Sequence, residues 1–93
     1  MAWPKEVDVL EATDICRGQF NGPNKTHCIV GWLRHWFGCG LEYGKAEKIA
    51  HRIAHTHSLM GWNDDPNTKK AEIARTINKV TAALGYTENN PEA

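Results

Sequence analysis

The chain has 93 residues, of which 41% are hydrophobic and 24% charged, and its 11 basic and 11 acidic residues give a formal net charge of zero. This length allows one domain with a modest core, and the charge balance gives no general attraction to nucleic acid or to acidic membranes. No apolar run approaches the roughly 20 residues that cross a bilayer, and the first residues lack the apolar stretch of a secretory signal. The sequence therefore predicts a cytoplasmic globular protein.

The first predicted element is a helix from about Pro4 to Arg17. Proline suits a first helical turn, the early acidic residues suit the positive end of the helix dipole, and the glycine that follows suits a stop. The next segment contains Asn21-Gly22-Pro23, a sequence that strongly favours a turn. A short hairpin near residues 18–26 is an additional option.

The most informative stretch is the second predicted helix, from Thr26 to Gly38. Thr26 is a natural N-cap, and apolar residues recur on one helix face from Cys28 to Phe37. Cys28 would lie in the first turn, where the dipole and the N–H groups favour an anion and where a thiol is most easily made reactive. The same pattern also fits a core helix in which Cys28 is a small buried hydrophobe.

Two further amphipathic helices are predicted, from about Lys45 to Ser58 and from about Pro66 to Leu84, with a loop between them. Short connections favour antiparallel neighbours. The sequence thus predicts an all-α fold, a compact four-helix bundle-like single domain over residues 1–86. Residues 87–93 are predicted to be a frayed tail.

The three cysteines, Cys16, Cys28 and Cys39, are an odd number without paired spacing. Without an export signal, reduced thiols are the preferred interpretation. A Cys16–Cys28 or a Cys28–Cys39 disulfide is the alternative.

Two short motifs follow one another along the chain. A glycine-containing turn precedes Cys28-Ile29-Val30-Gly31 at a helix start, and Trp62-Asn63-Asp64 precedes a Thr-Lys-x-x-Glu-Ile helix start. In this order, the motifs resemble small domains of unknown function found in bacteria and their phages, over roughly half of the chain. Trp32 and the histidine-rich third helix depart from that pattern. The resemblance implies the order of the helices and a prokaryotic or phage origin, and it supplies no activity.

Cys28 also supports an enzymatic alternative. With His57 as base and Asn63 or Asp64 as the orienting group, it would form a papain-like arrangement; His27, His51 and His55 are alternative bases. A helical domain of this size has little room for a cleft and oxyanion donors. A cysteine-dependent enzyme is therefore the second choice.

A metal site is a third hypothesis, because Glu47, His51 and His55 recur every four residues on the polar side of the third predicted helix. Side chains at i and i+4 project together, which is the spacing of metal ligands. A zinc ion would need further ligands from cysteines or histidines elsewhere. Paired cysteine or His-Glu-x-x-His motifs are absent from the sequence, so a solvated polar face is preferred and no cofactor is predicted.

The preferred function is that of a small non-enzymatic binding protein. Its predicted surface joins the Asn21-Gly22-Pro23 turn to Cys28, His57 and the Trp62-Asn63-Asp64 block. Helix N–H groups there would take an anionic group, and a tryptophan would stack on a ring. The partner would be a protein or a small anionic, nucleotide-like ligand, and a homodimer is a further option.

Structural roles compete with this binding role. A histidine at the end of an apolar stripe, such as His57, is usually a hydrogen-bonded core residue. The Trp62-Asn63-Asp64 block favours a loop anchor in which the tryptophan packs inside and the polar residues cap the fourth helix. The basic outer faces of the last two predicted helices are interrupted by acidic residues, which favours solvated surface over nucleic-acid binding.

Overall fold

The computed structural model describes residues 6–19, 21–85 and 87–89. It contains four helices, α1 (Ile29–Phe37), α2 (Leu41–Ala54), α3 (Leu59–Asp64) and α4 (Lys70–Ala83). Two three-residue strands, β1 (Glu6–Asp8) and β2 (Thr87–Asn89), pair in parallel. The predicted all-α class with four helices is confirmed, with this single small strand pair added to it.

The first predicted helix, from about Pro4 to Arg17, is wrong where the structure describes it. From Glu6 onward the chain forms β1 and then a single 3-10 turn at Ala12–Asp14. Pro4 and Lys5 lie outside the described residues. The fourth helix of the fold is instead α3, which occupies the segment predicted to be a loop.

The reason is that main-chain groups of this segment bond to distant parts of the chain. The Leu10 N–H donates to Asn78 Oδ1 and the Asn78 Nδ2 donates to the Leu10 carbonyl, both at 3.0 Å. The Cys16 N–H donates to the His27 carbonyl at 3.1 Å, and the His27 N–H donates to the Asp14 carbonyl at 3.2 Å. These bonds satisfy groups that a helix would have paired internally, so tertiary structure overrides the local pattern.

The loop before α1 is a tight turn. The optional hairpin near residues 18–26 is reduced to one antiparallel bridge between Asn21 and His27. Inside it, the Gly22 N–H donates to the Thr26 carbonyl at 2.8 Å. A Cβ atom on Gly22 would lie 2.8 Å from the Cβ and 2.9 Å from the Sγ of Cys16, so this close approach requires glycine.

The predicted helix from Thr26 to Gly38 is confirmed as α1, with a later start. The N-cap is Cys28, and Thr26 instead ends the 3-10 turn at Pro23–Lys25, where its hydroxyl donates to the Pro23 carbonyl at 2.8 Å. α1 therefore begins where a thiol, and not a hydroxyl, is available to the first-turn N–H groups.

The helix predicted from Lys45 to Ser58 corresponds to α2, which begins earlier, at Leu41, and ends at Ala54. It stops there because His55 adopts the left-handed conformation, with φ 54° and ψ 46°. Ser58 then caps α3, and its hydroxyl oxygen accepts from the Gly61 N–H at 3.2 Å.

The last predicted helix, from Pro66 to Leu84, corresponds to α4 without its first turn. Residues before Lys70 form a turn in which the Thr68 N–H donates to the Asp65 carbonyl at 2.9 Å. Residues 87–89, which were predicted to be part of the frayed tail, form β2, because their main chain pairs with β1. Residues 90–93 lie outside the described part of the chain.

The core lies where α1, α2 and α4 meet, with α3 closing one end. Seven of its side chains have no exposed surface: Ile29, Leu33, Ala46, Ala50, Ile73, Ile77 and Val80. The small side chains of Ala46 and Ala50 allow α2 to pack closely against α1 and α4. No helix in the described ranges is long and apolar enough to cross a membrane.

Candidate functional site

Cys28 is a buried structural residue at the start of α1. Its side chain is 3% exposed, and its Sγ accepts a hydrogen bond from the Gly31 N–H at 3.4 Å. Burial raises the pKa of the Cys28 thiol above its usual value, although the N–H groups of Gly31 and Val30 act in the opposite direction. A raised pKa favours the protonated thiol, which is a weaker nucleophile than the thiolate.

Asn63 is fully buried and also caps α1. Its Oδ1 accepts from the Ile29 N–H at 2.8 Å, and its Nδ2 donates to the Cys16 carbonyl at 3.0 Å and to Asp64 Oδ1 at 3.1 Å. Together, Asn63 and Cys28 occupy two of the first-turn N–H groups that were predicted to take an anion. Both side chains therefore stabilise the helix start from within the protein.

Asp64 and Arg17 extend this network to the surface. Asp64 Oδ1 accepts from the Gly18 N–H at 2.8 Å, and Arg17 Nε donates to the Asn63 carbonyl at 3.2 Å. Arg17 also donates to the Thr68 carbonyl. The predicted anchoring role of the Trp62-Asn63-Asp64 block thus has a physical basis, except that the helix it caps is α1, while the N-cap of α4 is Lys69 without a side-chain bond.

Trp62 and His57, two further members of the predicted binding surface, take no part in this hydrogen-bond network of the described residues. Trp62 is half-buried and packs against the core. His57 is exposed in the connection between α2 and α3, and no hydrogen bond in the described part of the chain joins it to Cys28. The structure brings Cys28, Asn63 and Asp64 together, and the hydrogen bonds that join this group in the described residues do not include the candidate base His57.

Glu47, His51 and His55, the predicted metal ligands, do not all lie on one face of α2. Because α2 ends at Ala54, His55 leaves the helical row. Glu47 Oε2 accepts a hydrogen bond from the Tyr43 hydroxyl at 3.1 Å. Within residues 6–19, 21–85 and 87–89, no group of three or more histidine, cysteine or acidic side chains is placed to hold a metal ion.

A cationic depression lies at the end of α2. It has a volume of about 580 Å³ and is lined by Lys48, His51, Arg52, His55, Thr56 and His57. We call it the histidine depression. None of the described residues that line it carries a carboxylate, although the whole chain has zero net charge.

The end of α2 and the turn that follows it bring the side chains of the histidine depression together. Lys48 and Arg52 are one helical turn apart, and the left-handed residue His55 turns the chain back over the helix end. Thr56 fixes the turn, because its N–H donates to the His51 carbonyl at 3.2 Å and its hydroxyl donates to the Ser58 carbonyl at 3.1 Å.

A second cavity of about 310 Å³, here called the side cavity, adjoins the histidine depression and shares two of its histidines. It is lined by Val30, Arg34, Tyr43, Glu47, His51, His57, Ser58, Leu59 and Met60. The Arg34 guanidinium carbon lies 5.5 Å from the centre of the Tyr43 ring. Burial raises the pKa of Tyr43, so its phenol stays neutral at physiological pH.

Aromatic rings cluster on the outer side of α1. Trp32 lies 5.1 Å from Trp36 and 4.6 Å from His27, and His27 stacks on His35 at 5.5 Å, all measured between ring centroids. The Trp32 Nε1–H donates to the Asp14 carbonyl at 2.9 Å. This cluster ties α1 to the segment before it, which the sequence reasoning did not anticipate.

Sequence reasoning also missed the histidine depression as a unit. It placed His51 and His55 on a solvated polar face, with metal binding as the alternative, and it joined His57 to a surface around Cys28, with a core role as the alternative; the nearby basic residues were assigned to solvent. The sequence did hold one indication of this site: three histidines, a lysine and an arginine are clustered within residues 48–57.

Comparison of the chain with protein-family models, with curated proteins and with solved structures gave no match. The resemblance to bacterial and phage domains therefore stays a prediction.

Proposed function

We propose that this protein is a small non-enzymatic binding protein that holds an anionic group in the histidine depression. One observation carries the proposal: all the titratable side chains that line the depression are cationic or become so on protonation. They are Lys48, His51, Arg52, His55 and His57. Thr56 adds a hydroxyl, and such a set suits a phosphate, sulfate or carboxylate group.

The charges around the histidine depression set the sign of the electrostatic potential inside it. Lys48 and Arg52 contribute two full positive charges, while the carbonyl end of α2 contributes about half a negative charge. In the side cavity, Arg34 and Glu47 add one positive and one negative charge, which offset each other. The balance of these charges is positive, so the depression should attract an anion.

The depression is open to solvent, which screens charge, so a simple anion should bind weakly. Dissociation constants on the order of 1 mM are expected near neutral pH. Arg52 is exposed and supplies a permanent charge, so Arg52→Gln should weaken binding about fivefold, the effect of about 1 kcal/mol for one charge near the surface.

The test is a titration of isotope-labelled protein with sulfate at pH 7, followed by amide chemical shifts. Saturating shifts confined to residues 48–58, with weaker binding in Arg52→Gln, are expected. Arg75→Gln, on the exposed side of α4, is the matched control and should bind as the parent does. Equal affinity in Arg52→Gln and the parent would refute the proposal.

The non-enzymatic part of the proposal is supported by the burial and raised pKa of Cys28. A cytoplasmic location in a prokaryotic or phage-infected cell completes the proposal and is supported by the sequence resemblance. Replacing Cys28 by serine should leave sulfate binding intact, since the two regions share no lining residue.

A further inference from the structure

The two adjoining cavities differ in chemistry. The histidine depression is lined by cationic and hydroxyl side chains, whereas the side cavity includes Val30, Leu59 and Met60. His51 and His57 line both, so a single ligand that passes these two histidines would contact both volumes.

The apolar wall of the side cavity contains accessible surface. Met60 is 45% exposed and is one of three large hydrophobic residues that are exposed in the described chain. Its thioether is flexible and makes favourable contacts with aromatic rings. Tyr43 offers a neutral ring on the same wall, held by the Arg34 guanidinium and by its hydrogen bond to Glu47.

Both volumes fall in the range of about 300–1,000 Å³ that is usual for small-molecule sites. The side cavity supplies the apolar walls that are usual in such sites, and the histidine depression supplies most of the cationic groups. The anion alone would use one half of this composite surface.

Building on the proposed function, we propose that the ligand is an amphipathic anion that carries an aromatic ring. Its anionic group lies among His51, Arg52 and His55, and its ring lies in the side cavity against Met60 and Tyr43. Aryl phosphates, nucleoside monophosphates and aryl carboxylates share this chemistry.

The test compares phenyl phosphate with methyl phosphate at pH 8, where both are dianions and differ in the ring. Phenyl phosphate should bind at least tenfold more tightly, which corresponds to about 1.4 kcal/mol. Met60→Ala should remove most of this difference and leave methyl phosphate binding unchanged. Leu41→Ala is the matched control, because Leu41 is 88% exposed and lines neither cavity.

The outcomes separate the two proposals. If methyl phosphate binds at the histidine depression and phenyl phosphate binds no more tightly, the aromatic ligand is refuted while the anion site stands. If Met60→Ala leaves the preference for phenyl phosphate intact in a folded protein, the placement of the ring is refuted. If neither compound binds at concentrations of tens of millimolar, both proposals fail.

Discussion

Replacing Asn63 by alanine would remove the side chain that caps α1 from α3. In the parent, the amide of Asn63 pairs with the Ile29 N–H and with the Cys16 carbonyl, both in buried residues. Alanine leaves these two groups without their partner. A buried polar group that loses its hydrogen bond destabilises a protein by about 1–3 kcal/mol, so Asn63→Ala should lower the free energy of unfolding by about 2–6 kcal/mol.

That loss is large for a single domain, whose total stability is usually about 5–15 kcal/mol. With about 4–8 °C per kcal/mol for a chain of this size, Tm should fall by at least about 8 °C. Urea unfolding followed by far-UV circular dichroism measures the change, and an unchanged m-value would show that the unfolded state is the same.

The matched control is Asn67→Ala, because Asn67 is an exposed asparagine in the turn after α3. It should change the free energy of unfolding by less than about 0.5 kcal/mol. If Asn63→Ala were as mild as this control, the hydrogen bonds to Ile29 and Cys16 would not stabilise the helix start, and the capping role would be refuted.

Further predictions concern glycines, thiols and pH. Gly22→Ala should destabilise the fold by about 1–3 kcal/mol in urea, because its Cβ would lie 2.8 Å from the Cβ of Cys16, whereas Gly44→Ala, in open space on α2, should stabilise it by about 0.5–1 kcal/mol. A thiol reagent should modify exposed Cys39 quickly, and the two buried cysteines should react only at the rate of unfolding; fast reaction of all three would contradict the burial. Burial raises the pKa of Cys28 above its usual 9.0, so the folded state holds this proton more tightly than the unfolded state. The resulting stabilisation is complete below pH 9 and is lost as pH rises through the folded-state pKa, and urea titrations from pH 8 upward should show a smaller loss in Cys28→Ala.

Helical periodicity was sufficient to predict α1, α2 and α4, because each buries one apolar face against the others. It failed for α3, since a helix of six residues is too short to show a period. It also failed before Arg17, where the deciding contact joins Leu10 to Asn78, 68 residues away. A local pattern carries no information about such a partner.

The site was harder to predict than the fold. The sequence singled out Cys28, Asn63 and Asp64, and the structure brings them together. Their hydrogen bonds stabilise the start of α1, a role that thiol, amide and carboxylate groups can fill as well as they can bind a ligand. The convergence of His57 with His51 depends on the left-handed turn at His55, which no residue preference signals, because glycine is the usual residue there.

The pairing of Asn78 with the main chain of Leu10 has a consequence for the order of folding. The contact closes a loop of 68 residues, and the β1–β2 pair nearby closes a still longer one, so the entropy of loop closure opposes both until the helices have assembled. We therefore expect the segment around Leu10 to dock last, onto a preformed surface of α4. Asn78→Ala should then accelerate unfolding and leave the rate of refolding nearly unchanged.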